Sequence, residues 1–243
     1  MATTQITRPL DELWEAWQTK FHEMKQDLKF ADKITGPHIT FKPDGYDSHR
    51  HTVLYVGKAL GTQDTRDGEP PSAEELRNES RSFLQEVVSG KHPYAFWNLA
   101  LDLSAQFASQ GGPLLQNLIW SNICKIGAWN GKNANPEGDA LAEQWGLAVE
   151  TLCAEIEQYK PSLVMWVTHD YTVKSEQDVG VIGEVLNEPD PILWKRDLEK
   201  TDLWWRERTD LFPAMLWTGH PQGKPKTYLN AWIEKACNLV LKN

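Results

Sequence analysis

Residues 53–61 read Val-Leu-Tyr-Val-Gly-Lys-Ala-Leu-Gly. Four consecutive apolar residues run into a glycine with no alternating polar partner. Such a run predicts a strand covered on both faces, followed by a turn. Three more runs of the same character follow: residues 117–123 (Asn-Leu-Ile-Trp-Ser-Asn-Ile), 163–167 (Leu-Val-Met-Trp-Val) and 214–217 (Ala-Met-Leu-Trp). The segments around and between them carry helical signals. Leu10, Leu13, Trp14, Trp17, Phe21, Met24 and Leu28 form one apolar stripe at helical spacing, predicting a helix over 10–30 that ends before Gly36-Pro37. Ser72 stands three residues before Glu75, a capping-box spacing that starts a helix running to Val88. Further helices are predicted over 94–109, over 140–159 up to the breaker Lys160-Pro161, and over 227–241. Strands separated by helices imply an α/β fold: a three-layer α/β/α sandwich around a central, mainly parallel four-stranded sheet. Residues 1–243 are expected to form one domain with an N-terminal helix and a long insertion, 170–212, before the last strand. That insertion is charged and aromatic, with Trp194, Trp204 and Trp205. Loops of this length are uncommon unless functional, so it is either a lid over a pocket or, more simply, an extra hairpin packing its tryptophans.

A chain of 243 residues can bury a substantial core, and its 12 tryptophans supply large apolar area for core and pocket walls. The net charge of -9 argues against a broad nucleic-acid-coating surface, though a narrow DNA-binding face needs only a few local phosphate contacts. Cys124, Cys153 and Cys237 are scattered and odd in number, which disfavours a disulfide framework or zinc site and suits a reducing compartment. No run is long and apolar enough for a membrane span, and the first ten residues lack a signal-peptide core. The expectation is a soluble, cytoplasmic monomer without membrane contact.

Ligands of open α/β sheets bind beyond the carboxyl ends of the strands, so the residues that follow each run carry the chemistry. They are Gly57-Lys58-Ala59-Leu60-Gly61, then Asn122-Ile123-Cys124-Lys125, then Thr168-His169-Asp170, then Gly219-His220-Pro221-Gln222-Gly223-Lys224. A strand ending in Val-Gly-x-x-x-Gly, one ending in Asn with a nearby Lys, and one ending in Gly-His-Pro together resemble the three active-site segments of the uracil-DNA glycosylase superfamily. The resemblance runs from Val53 to Lys235. It implies a DNA partner, single- or double-stranded, and base flipping followed by hydrolysis of the N-glycosidic bond. It also implies roles: Gly57 and Lys58 line sugar and base, Asn122 reads the polar edge of the flipped base, and His220 stabilises the departing anionic base. Gln222, Lys224 and Lys226 would approach the DNA.

The chemistry demands such groups independently. Breaking the glycosidic bond develops negative charge on the base, and a preorganised donor aimed at it is worth about 10²–10³ in rate. An Asn amide pairs a donor with an acceptor, matching uracil in one orientation and cytosine in the flipped one.

Three departures stand out. Lys58 and Ala59 occupy places where several subfamilies carry an acid or amide, so the water-activating carboxylate is assigned to Asp64, then Asp67, then Glu69. The aromatic that stacks on the base is either Phe96 or Trp97. Three cysteines cannot hold the four-cysteine iron–sulfur cluster of some subfamilies, and no metal or other cofactor is expected.

Each residue also has a plainer reading. Gly57 and Gly61 would serve a turn of positive φ, Asn122 would cap loop backbone, and His220 would be a loop histidine. Lys224 and Lys226 would be solvated charges, and His169 and Asp170 a pocket rim. The expected activity is that of a monofunctional DNA glycosylase acting on uracil or a modified or damaged pyrimidine, in base-excision repair or in defence against viral DNA with modified bases. The alternative is a catalytically silent nucleic-acid-binding module on the same fold. A small-molecule α/β hydrolase or nucleosidase is disfavoured, because neither a Gly-x-Ser-x-Gly elbow nor a Gly-Lys-Ser/Thr phosphate loop is present.

Overall fold

The computed structural model describes residues 8–40, 42–43, 45–46, 51–59, 72–108, 114–129, 135–168, 185, 194–197, 203–210 and 212–241. Its elements are α1 (Leu10–Gln26), β1 (Val53–Gly57), α2 (Ala73–Val88), α3 (Ala95–Phe107), β2 (Leu118–Asn122), α4 (Gly138–Ala142), α5 (Trp145–Tyr159), β3 (Leu163–Val167), β4 (Lys195–Asp197), β5 (Leu203–Arg206), β6 (Ala214–Thr218) and α6 (Lys226–Leu241).

The four apolar runs become β1, β2, β3 and β6, and every residue in them is buried. They pair in parallel in the order β2-β1-β3-β6. The sheet is larger than the four strands expected. β5 pairs antiparallel with β6, and β4 with β5, giving six strands. Both added strands come from the predicted insertion. They were hidden from a periodicity reading because strands of three and four residues carry too little pattern. Trp204 packs on Trp217 with ring centroids 5.2 Å apart, and Lys235 sits 3.8 Å from the Trp205 ring centroid on the other face. These tryptophans therefore cover the sheet, as in the hairpin reading of the insertion.

Successive strand residues point to opposite faces, so the sheet organises two cores. Leu54, Val56, Ile119, Val164, Trp166, Met215 and Trp217 pack with α1 and α5. Val53, Tyr55, Leu118, Trp120, Met165 and Leu216 pack with α3 and α6. This is an α/β/α arrangement.

Two predicted helices differ in extent. The first stops at Gln26, and Leu28, counted in its apolar stripe, is 95% exposed. The Asp27 carboxylate accepts the Lys29 backbone N–H at 2.9 Å, a local turn that competes with another helical turn. The helix expected over 140–159 is divided into α4 and α5 at Glu143-Gln144. The buried Gln144 side chain accepts from Ile126 N and donates to the Ala140 carbonyl, tying the break to the segment after β2. In contrast, the capping box forms as predicted: Ser72 Oγ accepts from Glu75 N, and the Glu75 carboxylate accepts from Ser72 N.

Candidate functional site at the carboxyl ends of the strands

Parallel register brings the ends of β1 and β2 side by side, with Gly57 directly opposite Asn122. Beyond this pair the two chains stay joined, as Ile123 N donates to the Gly57 carbonyl and Cys124 N to that of Lys58, both at 2.9 Å. A Cβ on residue 57 would lie 2.6 Å from Asn122 Oδ1 and 3.1 Å from Phe96 Cζ. Glycine is thus required here for close approach. Gly57 is not among the residues of positive φ, which sets aside the reading of a left-handed turn at this position.

Phe96 reaches Gly57 from the first turn of α3. Tyr55 in β1 holds that turn, its hydroxyl donating to the Phe96 carbonyl at 2.9 Å and its ring lying 4.8 Å from the Phe96 ring. The other face of the cluster comes from the segment after β6. The His220 ring lies nearly parallel to Phe96, with centroids 6.2 Å apart and planes at 18°. Asn122, Gly57, Phe96 and His220 therefore form one contiguous group, with Asn122 buried at 1% exposure and His220 exposed.

Trp97, the alternative stacking residue, points elsewhere. It is buried against Phe83, Phe96 and Trp120, with centroids 5.3, 5.0 and 4.8 Å away, and backs Phe96 from the core. Lys58 is half-buried, and its carbonyl is engaged by Cys124. Gln222 and Lys226 are exposed and Lys224 half-buried along the turn from His220 into α6. Gly223 makes that turn at φ +75°, where a side chain would be strained. Asp64, Asp67, Glu69, Gly61, His169 and Asp170 lie outside the described residues.

The turn fixes the chemistry of His220. Gln222 N donates to His220 Nδ1 at 3.2 Å, so the proton of the neutral imidazole resides on Nε2, making that nitrogen a donor. Cys124, two residues after Asn122, is buried with its thiol pushed up to about 12 by desolvation, which leaves no thiolate for nucleophilic chemistry near neutral pH.

Two partners of this cluster were not singled out from sequence. The first is His38, in the loop after α1. Its Nδ1 lies 3.3 Å from Asn122 Nδ2, and its ring packs 4.1 Å from Trp120. The second is Glu155 of α5. Lys125, three residues past Asn122, turns into the core, where Nζ donates to Glu155 Oε1 at 2.6 Å, Ser121 Oγ at 2.7 Å and Thr40 Oγ1 at 3.2 Å. The two hydroxyls donate in turn to the Glu155 carboxylate, each at 2.6 Å. Burial pulls the Lys125 pKa down, and Glu155 opposes that shift. A buried ion pair holds only when its remaining hydrogen-bonding capacity is met, and here the hydroxyls meet it. The network clamps β2, the His38 loop and α5 together. It also floors a cleft of about 110 Å³ between α1 and α5 whose lining includes Trp14, Trp17, His38 and Thr40.

Helical and strand periodicity pointed to none of these three-dimensional neighbours, because a loop histidine and a helix glutamate 84 and 33 residues from Asn122 leave no local pattern. The only signal was the oddity of Glu155 on the apolar side of its helix. Among the described residues no helix is long and apolar enough to cross a membrane. Compared with known proteins, the chain matches no family model and no curated protein.

Proposed function

We propose that the chain is a monofunctional DNA glycosylase that extrudes a pyrimidine from DNA and hydrolyses its N-glycosidic bond. The observation carrying this reading is the convergence of an amide, an aromatic face and a histidine donor around a glycine whose missing side chain lets Asn122 and Phe96 pack against the end of β1. Each member answers a need of the reaction. Phe96 offers a face on which the flipped base stacks. Asn122, at the back, presents donor and acceptor to the base edge. His220, at the rim, presents its Nε2 proton to the oxygen on which charge collects as the base departs. Water then attacks the sugar carbon, leaving an abasic site, with Asp64 the leading carboxylate to orient it. Gln222, Lys224 and Lys226, on the same turn, are suited to contact the DNA backbone. The substrate is uracil or a modified or damaged pyrimidine, in repair or in defence against modified viral DNA, and the setting of action is the cytoplasm.

The test is alkali-induced strand cleavage on single- and double-stranded DNAs carrying uracil, hypoxanthine, alkylated bases, hydroxymethylcytosine and its glucosylated form, alongside genomic DNA from viruses with modified bases. Abasic sites on one substrate establish the activity and name the base. Asn122→Ala and His220→Ala should each lose turnover while DNA binding survives. DNA binding without abasic sites on any substrate would favour the silent binding module, the reading that Lys58 and Ala59 favour.

A further inference from the structure

An Asn amide read from one side cannot by itself distinguish a 4-oxo from a 4-amino pyrimidine, since a 180° flip exchanges its donor and acceptor. Discrimination requires a second group that holds the amide in one orientation. We infer that His38 is that group: a positioning residue that fixes Asn122 and so sets which pyrimidine edge the site accepts. The inference rests on the glycosylase reading above.

The geometry carries it. Asn122 Nδ2 faces His38 Nδ1 at 3.3 Å, and Oδ1 packs on the other side against Gly57 beside Phe96. An amide nitrogen only donates, so Nδ1 accepts, and the single proton of the neutral ring lies on Nε2. A flipped amide would bring Oδ1 against a bare Nδ1, acceptor against acceptor, and could form the bond only if the imidazole changed tautomer as well. Packing keeps Nδ1, rather than a ring carbon, turned toward the amide, because the ring has no room to turn over. It is 4% exposed, packs against Trp120 at 4.1 Å, and its own backbone N–H is fixed to the Lys125 carbonyl at 2.7 Å. The loop bearing it is pinned again by Thr35, whose N–H donates to the Gly127 carbonyl at 2.9 Å and whose hydroxyl accepts from Gly127 N at 3.0 Å. Among the described residues His38 Nε2 is buried without a hydrogen-bond partner, so the Asn122 contact is the one polar bond of the ring among them. Burial and the nearby Lys125 charge both keep the imidazole neutral, as an acceptor at Nδ1 must be.

The experiment has a spectroscopic arm and a catalytic arm, both on the full chain. In ¹⁵N-histidine NMR of the wild type, His38 should show a bare Nδ1 and a protonated Nε2. Asn122→Asp replaces the donor with an acceptor, and His38 should then carry its proton on Nδ1. A merely structural histidine would not respond in this way, and a protonated Nδ1 in the wild type would overturn the inference. In the catalytic arm, turnover is compared on matched DNAs that differ only in a 4-oxo or 4-amino pyrimidine. His38→Leu, with its fold checked by thermal melting, should lower the wild-type preference by about 10-fold or more, the cost of one mispaired buried hydrogen bond. An unchanged preference in folded His38→Leu overturns this role alone. Absence of activity on every substrate overturns the glycosylase reading and this role with it, and the imidazole spectrum then decides whether the His38–Asn122 bond itself exists.

Discussion

Replacing Gly57 with Ala places a methyl carbon 2.6 Å from Asn122 Oδ1, with the Phe96 ring at 3.1 and 3.2 Å. The first distance is about 0.9 Å inside the roughly 3.5 Å at which such atoms begin to attract. Neither neighbour can yield without consequence. Asn122 would swing off its bond to His38, and Phe96 would tilt on a turn that Tyr55 holds. Overpacking of this kind costs about 1–3 kcal/mol. Alanine recovers about 0.4–1 kcal/mol by stiffening the unfolded chain, because Gly57 does not need positive φ. The net loss is about 1–2 kcal/mol, which for a chain of this size lowers Tm by about 2–8 °C. Turnover should fall far more, by about 10²–10³, the value of one preorganised polar contact in such a site. The assay is single-turnover glycosylase kinetics beside a thermal melt. Gly146→Ala is the matched control: it lies in α5 with nothing within 4 Å of the added carbon, and should stabilise by about 0.5–1 kcal/mol with activity intact. A Gly57→Ala protein that turns over at the parent's rate would refute the claim that the base lies against Gly57 and Asn122.

Three further outcomes are expected. Glu155→Ala strands the buried Lys125 ammonium and should cost about 3–5 kcal/mol, whereas a paired Lys125→Met, Glu155→Leu variant should recover much of it; denaturant unfolding measures both. His38 should make stability fall in mild acid. Its folded pKa lies well below 6.5, so between the two values the unfolded chain binds the extra proton. Stability is then full above pH 6.5 and drops by about 1.4 kcal/mol per pH unit as pH falls below it, a slope from this group that urea titrations at several pH values should find missing in His38→Leu. Finally, Lys226→Gln should weaken DNA binding similarly for all sequences and reduce the slope of log K against log salt by about 1; an unchanged slope would remove Lys226 from the DNA face.

Much of the architecture was written locally. Uninterrupted apolar runs specify strands covered on both faces, and all four became the buried parallel heart of the sheet. The Ser72–Glu75 spacing is a contact between neighbours in sequence, so it too could be read directly. Local reading failed where a distant partner decided. It missed Gln144, whose bond to Ile126 accompanies the division of a helix, and the short strands β5 and β4, which exist because β6 offers an edge to β5 and β5 in turn offers one to β4.

The candidate site divides along the same line. Gly57, Asn122 and His220 could be named from sequence because each lies at or just past the carboxyl end of a strand, and parallel strands deliver those ends to one edge. Which aromatic faces them could not be named, since Phe96 and Trp97 are adjacent and only the packing of α3 turns one toward Gly57 and the other into the core. The same holds for His38 and Glu155. Their roles arise from hydrogen bonds spanning 84 and 30 residues to Asn122 and Lys125, a juxtaposition that strand register and helix packing create and that no local pattern encodes.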